Sequence, residues 1–449
     1  MSEKPLWEWP EVCQALGIPE TQGPGFSKIC FDSRRCEIGD LFVALEGDPG
    51  QRFHATKRTN RDGHDYINEA IQAGAVGILS HDGQKRSYPE LKVDNTLTAL
   101  WTWAAEARKR LAMPTIAITG SSGKTTAKSF YTTALDGFSI EGSFNNHIGV
   151  PLSIISTPRE CDSAIFELGT NHPGEISKLS RLVSPDIAVL LNVHKAHIGQ
   201  FRNENHLKQE KLGIFDGLKK DGRIVVEESL ITDTPKEFER ISFGVTRDAD
   251  VRLLEIKNGI GIYSFRGKTY EARVPGGRYP QAITLASTFA VLAILGLSFE
   301  KALDLATNLI PKGRGDLRIV GNIAIVDDSY NANPDTMVLA IKALTDHKNR
   351  SIAILGDMLE LGSHSGQYHR ELAEHCKEVD KIICVGSEMA NLYNQLGPTQ
   401  KAGQFESAGE ELIRRVLAIV SPGDRILVKG SNNIFWSVDF VDRLCNRIN

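Results

Sequence analysis

The chain has 449 residues, 41% hydrophobic and 24% charged, an ordinary balance for folded proteins and enough for about three domains. Its 52 basic and 56 acidic residues leave a formal net charge of −4, which excludes the basic excess of a nucleic-acid binder. No apolar run reaches the roughly 18 residues of a membrane span, so no membrane partner is expected.

The first unit is expected over residues 1–112. It opens on MSEKPLWEWPEVCQAL, which lacks a basic start followed by an apolar stretch, so no leader is expected and the cytoplasm is the expected location. "DLFVAL" (40–45) and "AVGILS" (75–80) have the short apolar form of strands. Between them, residues 47–66 are polar and turn-rich, an expected exposed loop. "DYINEAIQAG" (65–74) has helical spacing and a terminal glycine suited to a cap, and 97–112 is a second helix.

The second unit is expected over 113–313, with strands at "TIAITG", "SAIFELG" (163–169), "DIAVLLNV" (186–193) and "RIVVEES" (223–229). Near-continuous apolar strands alternating with helices imply a parallel sheet covered on both faces. Residues 250–275 switch to polar–apolar alternation, expected as a small antiparallel flap, and 282–297 is a strongly apolar helix. The third unit, 314–449, repeats the doubly wound pattern with strands at 323–329, 351–357, 381–387 and 425–431. The fold class is therefore α/β, in three domains.

Seven cysteines at 13, 30, 36, 161, 376, 384 and 445 form no C-x-x-C pair. Free thiols are expected, and neither a disulfide framework nor a zinc site is. Cys384 lies in an apolar run and is expected in the core.

Gly120-Ser121-Ser122-Gly123-Lys124-Thr125-Thr126 follows a strand and precedes a helix, the context of a phosphate loop. Its glycines let backbone N–H groups approach phosphate oxygens, and the following helix adds its dipole. Lys124 would neutralise β- and γ-phosphates, and the Thr125 hydroxyl would bind Mg2+. The standard pattern has a further glycine where this chain has Ile118, so the loop is a shortened variant; a plain polar turn is the competing reading.

Glu167, His194 and His197 close neighbouring strands and would meet the loop on one rim, unless they are caps or surface groups. A carboxylate and an imidazole there suggest a second metal position. Lys211 falls in the apolar stripe of Leu207, Ile214, Phe215 and Leu218 in an expected helix over 205–218. It must snorkel out, pair or lose its charge, and a neutral lysine can take up CO2 as a carbamate that ligates Mg2+. In the third unit, Asp327 and Asp328 end a strand, and Tyr330, Asn331 and Asn333 follow, suited to a base and ribose or to a capped turn. Arg314 lies at the boundary and would reach phosphates on domain closure.

These stretches, with "FDSRRCEIGDLFVALEG", "DGHDYINEAIQAGAVGIL", "GSFNNHIGVPLSI", "FELGTNHPGEI", "NVHKAHIGQF", "EKLGIF", "VDDSYNANPDTM" and "LGDMLELG", run in order through the chain and resemble the Mur ligases of bacterial cell-wall synthesis. The resemblance implies an N-terminal UDP-sugar domain, a central ATPase domain and a C-terminal Rossmann-like domain. It implies ATP-dependent amide ligation through an acyl phosphate, joining a UDP-linked tripeptide to D-Ala-D-Ala or a related amine; a monomer is expected. It assigns Gly120 to Thr126 to ATP, with Arg314, Asp328, Asn331 and Asn333. Thr125, Glu167, His197 and a carbamylated Lys211 would hold two Mg2+ ions, with Lys124, Lys211 and His197 catalytic. Ser33 and Arg34 would contact the UDP end, and Asn145 and Asn146 the substrate channel. Four positions depart from the family pattern: Tyr279, Pro280 and Ile283 where adenine contacts are usual, and Asn432 where an arginine is. Cys30 also stands where a serine is common, and the loop at 51–62 is long. The departures leave open a related ligase with another acid or amine. A non-catalytic nucleotide-binding paralogue is disfavoured by the presence of Lys124, Glu167, His197 and Lys211, and a GTPase by the lack of an N-K-x-D motif.

Overall fold

The computed structural model describes residues 4–47, 61–195, 198–346 and 349–448. Most of the expected 47–66 loop lies outside the described residues.

The first unit carries a parallel sheet of β1 (Ile29–Cys30), β2 (Leu41–Val43), β3 (Gly77–Ser80) and β4 (Glu90–Lys92), in that order. The helix Ile67–Ala73 ends on Gly74, whose φ of 111° is left-handed backbone that glycine adopts without strain. The helix Thr96–Lys109 starts where Asn95 Oδ1 accepts from the Thr98 N–H at 2.8 Å. Its inner face does not stop at the first unit. Trp7, Trp103 and Ala104 share one apolar core with Val150, Ile154, Ile176 and Leu179 of the second. Trp7 Nε1 donates to the Ile155 carbonyl at 2.9 Å and Trp101 Nε1 to that of His147 at 2.8 Å, so these two rings are buried with their N–H groups paired, whereas the buried Trp103 Nε1 has no hydrogen-bond partner.

The second unit is built on eight strands: β5 (Thr115–Thr119), β6 (Ala164–Glu167), β7 (Ile187–Leu190), β8 (Arg223–Glu227), β9 (Glu239–Gly244), β10 (Val251–Lys257), β11 (Ile260–Phe265) and β12 (Lys268–Arg273). Their order is β12-β11-β10-β9-β8-β7-β5-β6. Alternate residues fill opposite faces: Ile116, Ile118, Val189 and Val225 pack under the apolar helix Tyr279–Ile294, while Ala117, Leu190 and Val226 face the core shared with the first unit. The expected flap is not separate. β10 pairs parallel with β9, and β11 and β12 follow antiparallel, so the 250–275 stretch extends the main sheet. The expected 205–218 helix is shorter: it runs Glu204–Leu212 and tightens into a 3-10 turn, Gly213–Gly217.

The third unit contains β13 (Asp316–Val320), β14 (Ile323–Asp328), β15 (Ser351–Gly356), β16 (Lys381–Val385), β17 (Lys401–Phe405) and β18 (Arg425–Lys429), ordered β13-β14-β18-β15-β16-β17. All pairs are parallel except the antiparallel edge β13–β14. Cys384 is buried in β16, a core residue as its apolar neighbours imply. Among the described residues, no helix is long and apolar enough to cross a membrane.

Candidate active site

β5 lies between β6 and β7, so its C-terminal end has a neighbour on each side. The chain leaves β5 at Gly120 and re-enters helix at Lys124, with Gly123 at φ 79° as N-cap. A Cβ on Gly120 would come within 3.0 Å of Leu191 Cβ, so a side chain there would crowd β7's exit. The Ser121 and Ser122 N–H groups both donate to Asn192 Oδ1 at 3.0 Å, a pair of convergent donors of the kind that anionic oxygens take. Lys124 Nζ donates to the Gly120 carbonyl at 2.9 Å, folding the ammonium back over the loop.

On the other flank, Glu167 ends β6 and is buried. Its Oε2 accepts from the Thr125 hydroxyl at 2.9 Å, and its Oε1 from Asn145 Nδ2 at 2.7 Å. Burial works to raise the Glu167 carboxyl, but Lys124, Arg314 and Lys128 outweigh it and hold it below its ordinary range. The site therefore presents an ionised carboxylate beside a threonine hydroxyl. That all-oxygen donor set suits Mg2+.

Lys211 is 1% exposed, near the end of the helix Glu204–Leu212. Burial pushes its ammonium down to about 7, Lys124 adds repulsion, and Glu210, Glu175 and Glu167 oppose the shift. Glu210 is occupied elsewhere: its carboxylate accepts from the Gly174 and Ile176 N–H groups at 2.5 and 2.8 Å. The stripe thus resolves in favour of a buried lysine rather than a snorkelling one. Lys211 does not line the open cleft itself.

That cleft has a volume of about 810 Å³. It gathers Ser121, Ser122, Gly123, Lys124, Thr126, Asn145, Asn146 and Glu167 with Arg314, Asp328, Asn331 and Asn333 of the third unit. Arg314 sits with its guanidinium carbon 4.0 Å from the centre of the Tyr330 ring. Lys429 Nζ donates to Asp328 Oδ2 at 2.9 Å and to the Asn331 carbonyl at 3.0 Å, pinning that loop to β18. Asn333 lines the cleft, but its Oδ1 accepts from the Thr336 N–H at 3.0 Å and caps the helix Pro334–Thr345. Asn146 is likewise a cap, accepting from Ile148 and Gly149. The Lys195 N–H donates to Asp335 Oδ2 at 2.8 Å, a direct tie between the second and third units.

Ser33 and Arg34 lie apart from this cleft. The Ser33 hydroxyl donates to Glu69 at 2.9 Å, and Arg34 forms a two-pronged pair with Asp32 at 2.8 Å. His197 lies outside the described residues. His194 is within them, its Nδ1 3.3 Å from Ser122 Oγ, with burial lowering its basicity. Tyr279, Pro280 and Ile283 line the cleft, whereas Asn432 does not. Sequence reasoning passed over Asn192 and Lys128. The first follows the apolar run of β7. The second is one helical turn beyond Lys124, and its Nζ donates to the Ile140 carbonyl at 2.8 Å.

Residues 118–294 match the model of the Mur ligase middle domain, and 313–432 that of the Mur ligase glutamate ligase domain. The UDP-N-acetylmuramoyl-tripeptide–D-alanyl-D-alanine ligase of Rickettsia prowazekii is 30% identical, over 96% of this chain and 98% of its own. The chain belongs to the Mur ligase family. The Bacillus subtilis ligase of the same name is 28% identical over 93% of both chains. Among solved structures, MurF from Acinetobacter baumannii superposes with a TM-score of 0.82 at 26% identity, covering 98% of this chain and 99% of that one. MurF from Thermotoga maritima in complex with ADP gives 0.79 at 26% identity, over 94% and 98%. These Mur ligases span the whole α/β arrangement, so the likeness is not confined to the phosphate loop.

Proposed function

We propose that this Mur ligase adds D-alanyl-D-alanine to a UDP-N-acetylmuramoyl-tripeptide with hydrolysis of ATP to ADP and phosphate, supplying peptidoglycan precursor in the cytoplasm. The observation that carries this reading is the ionised Glu167 held between Thr125 and Asn145, beside Lys124, in a cleft that the third unit helps to line. It stands in a chain related to such ligases along nearly its full length.

Two anions must meet for the first step, the peptide carboxylate and the ATP γ-phosphate. Lys124 and Arg314 bring positive charge to one side of the cleft, where developing negative charge on the transferring group is stabilised. The carboxylate oxygen attacks the γ-phosphorus, ADP leaves, and an acyl phosphate remains. The amine of D-Ala-D-Ala then attacks the acyl carbon. The tetrahedral intermediate collapses, releasing phosphate, and the amine loses its proton. Mg2+ ions, when bound, screen phosphate charge and hold reacting oxygens together. Thr125 and Glu167 would hold one; His197 and Lys211, as a carbamate, would help to hold the second. A lysine poised near 7 is about half neutral at pH 7, the form that adds CO2. The Lys195–Asp335 contact ties the third unit to the second, and further closure there would exclude water from the labile acyl phosphate.

On this reading the units divide at 112/113 and 313/314. Ser33 and Arg34 face the UDP end, Asn145 orients Glu167 at the head of the substrate channel, and the enzyme works as a monomer. The test is release of phosphate from ATP with UDP-N-acetylmuramoyl-tripeptide and D-Ala-D-Ala present. Release should need both substrates. A screen in which another amine or acid alone supports turnover would assign a different ligase.

A further inference from the structure

Outside the lining of the cleft, the first unit brings together three side chains that the ligase reaction does not use. Cys30 ends β1, Cys36 closes the 3-10 turn Ser33–Arg35, and Asp40 stands directly before β2. We propose that Cys30, Cys36 and Asp40 bind one thiophilic divalent cation of the Zn2+ class.

The geometry carries the assignment. The two Sγ atoms and a carboxylate oxygen of Asp40 all lie within 4.8 Å of one another. Ligands at ordinary zinc distances on a tetrahedron stand roughly 3.5 to 4 Å apart, so small side-chain adjustments suffice. The frame is set by parallel pairing of β1 and β2, with Ile29 opposite Leu41 and Cys30 opposite Phe42. Asp40 is oriented by the Glu37 N–H, which donates to its Oδ2 at 2.9 Å, as a fixed outer partner of a metal ligand would be. Cys30 and Asp40 are buried and Cys36 half-buried. Lys28, which acts on Asp40 from a distance, is engaged with Glu37 at 2.6 Å.

Binding balances without oxidation. Each thiol gives its proton to solvent, two metal–sulfur bonds and one metal–oxygen bond form, and water takes the fourth place. Two sulfurs and one oxygen select Zn2+ or Co2+ over Mg2+. The site would clamp both ends of the turn that carries Ser33 and Arg34.

The experiment uses the reduced full-length protein in Mg2+ buffer with Co2+ as the probe. One equivalent should produce the near-ultraviolet thiolate-to-cobalt band and the visible bands of tetrahedral cobalt, both abolished by Zn2+. Cys36→Ser and Asp40→Asn should weaken Co2+ binding at least about tenfold. Should those variants fail to fold, the unaltered protein still decides. Zn2+ should protect Cys36, mapped by peptide mass, from iodoacetamide while Cys161 and Cys445 go on reacting. Absence of the thiolate band at one equivalent, or labelling indifferent to Zn2+, overturns the site. So does a protein whose two thiols join as a disulfide with glutathione disulfide but bind no metal when reduced.

Discussion

Lys211 offers the sharpest test of the chemistry. A solvent lysine titrates at about 10.4, so at pH 7 roughly 4 in 10,000 are neutral. With its ammonium pushed down to about 7, Lys211 is about half neutral at that pH, an advantage of roughly a thousandfold over surface lysines. Incubated with ¹³C-bicarbonate at pH 7, the protein should therefore show one carbamate carbonyl resonance in the carbon NMR spectrum, and Lys211→Arg should lack it. The sign with pH is fixed: protons compete for the same nitrogen, so the neutral fraction falls about tenfold for each unit below the folded value, and the resonance should fade between pH 7 and 5. Ligation by Lys211→Ala should drop by at least about a hundredfold and recover in part with added short carboxylates. Full unassisted activity in Lys211→Ala, or equal labelling of many lysines, would refute the reasoning.

The remaining expectations concern the cleft. Lys124→Ala should lower turnover by at least about a hundredfold in a phosphate-release assay, since it removes the ammonium over the loop. Gly169→Ala would place a methyl 2.7 Å from Asn145 Cγ, so Asn145 must leave Glu167; circular dichroism should be unchanged while the Mg2+ concentration for half activity rises several-fold. Asp335→Ala loses the 2.8 Å bond from Lys195, worth about 1 kcal/mol, so KM for ATP should rise roughly fivefold; an unchanged KM would remove that bond from closure.

The long periodic elements and the residues at strand ends were legible in the sequence. The phosphate loop, Glu167 and the Lys211 stripe needed only local pattern. Partnerships across strands were not legible. Asn192 reaches Ser121 because β7 lies beside β5, and Asn145 reaches Glu167 from a segment that bridges β6 at Phe138, neighbours that periodicity does not encode. Short or edge strands escaped for a different reason: Ile29–Cys30 is two residues long, and the edge strand β13 leaves alternate residues in solvent. Asn333 illustrates a limit of side-chain type as a guide, since the same amide that suits a nucleotide is spent in part on a helix cap. The Cys30–Cys36 spacing matches no zinc pattern, and only the pairing of β1 with β2 delivers Asp40 to it.

The tryptophan-rich core that runs from the helix Thr96–Lys109 into the second unit has a mechanical consequence. Swinging the N-terminal part away would drag Trp7 and Trp103 into water, a cost of several kcal/mol, so those two parts travel as one body. On the proposed reading, with the sugar-nucleotide end near Ser33 and the phosphorylated end at Lys124, the molecule would act as a caliper with a fixed gap. A peptide one residue too short or too long would leave its carboxylate off the mark.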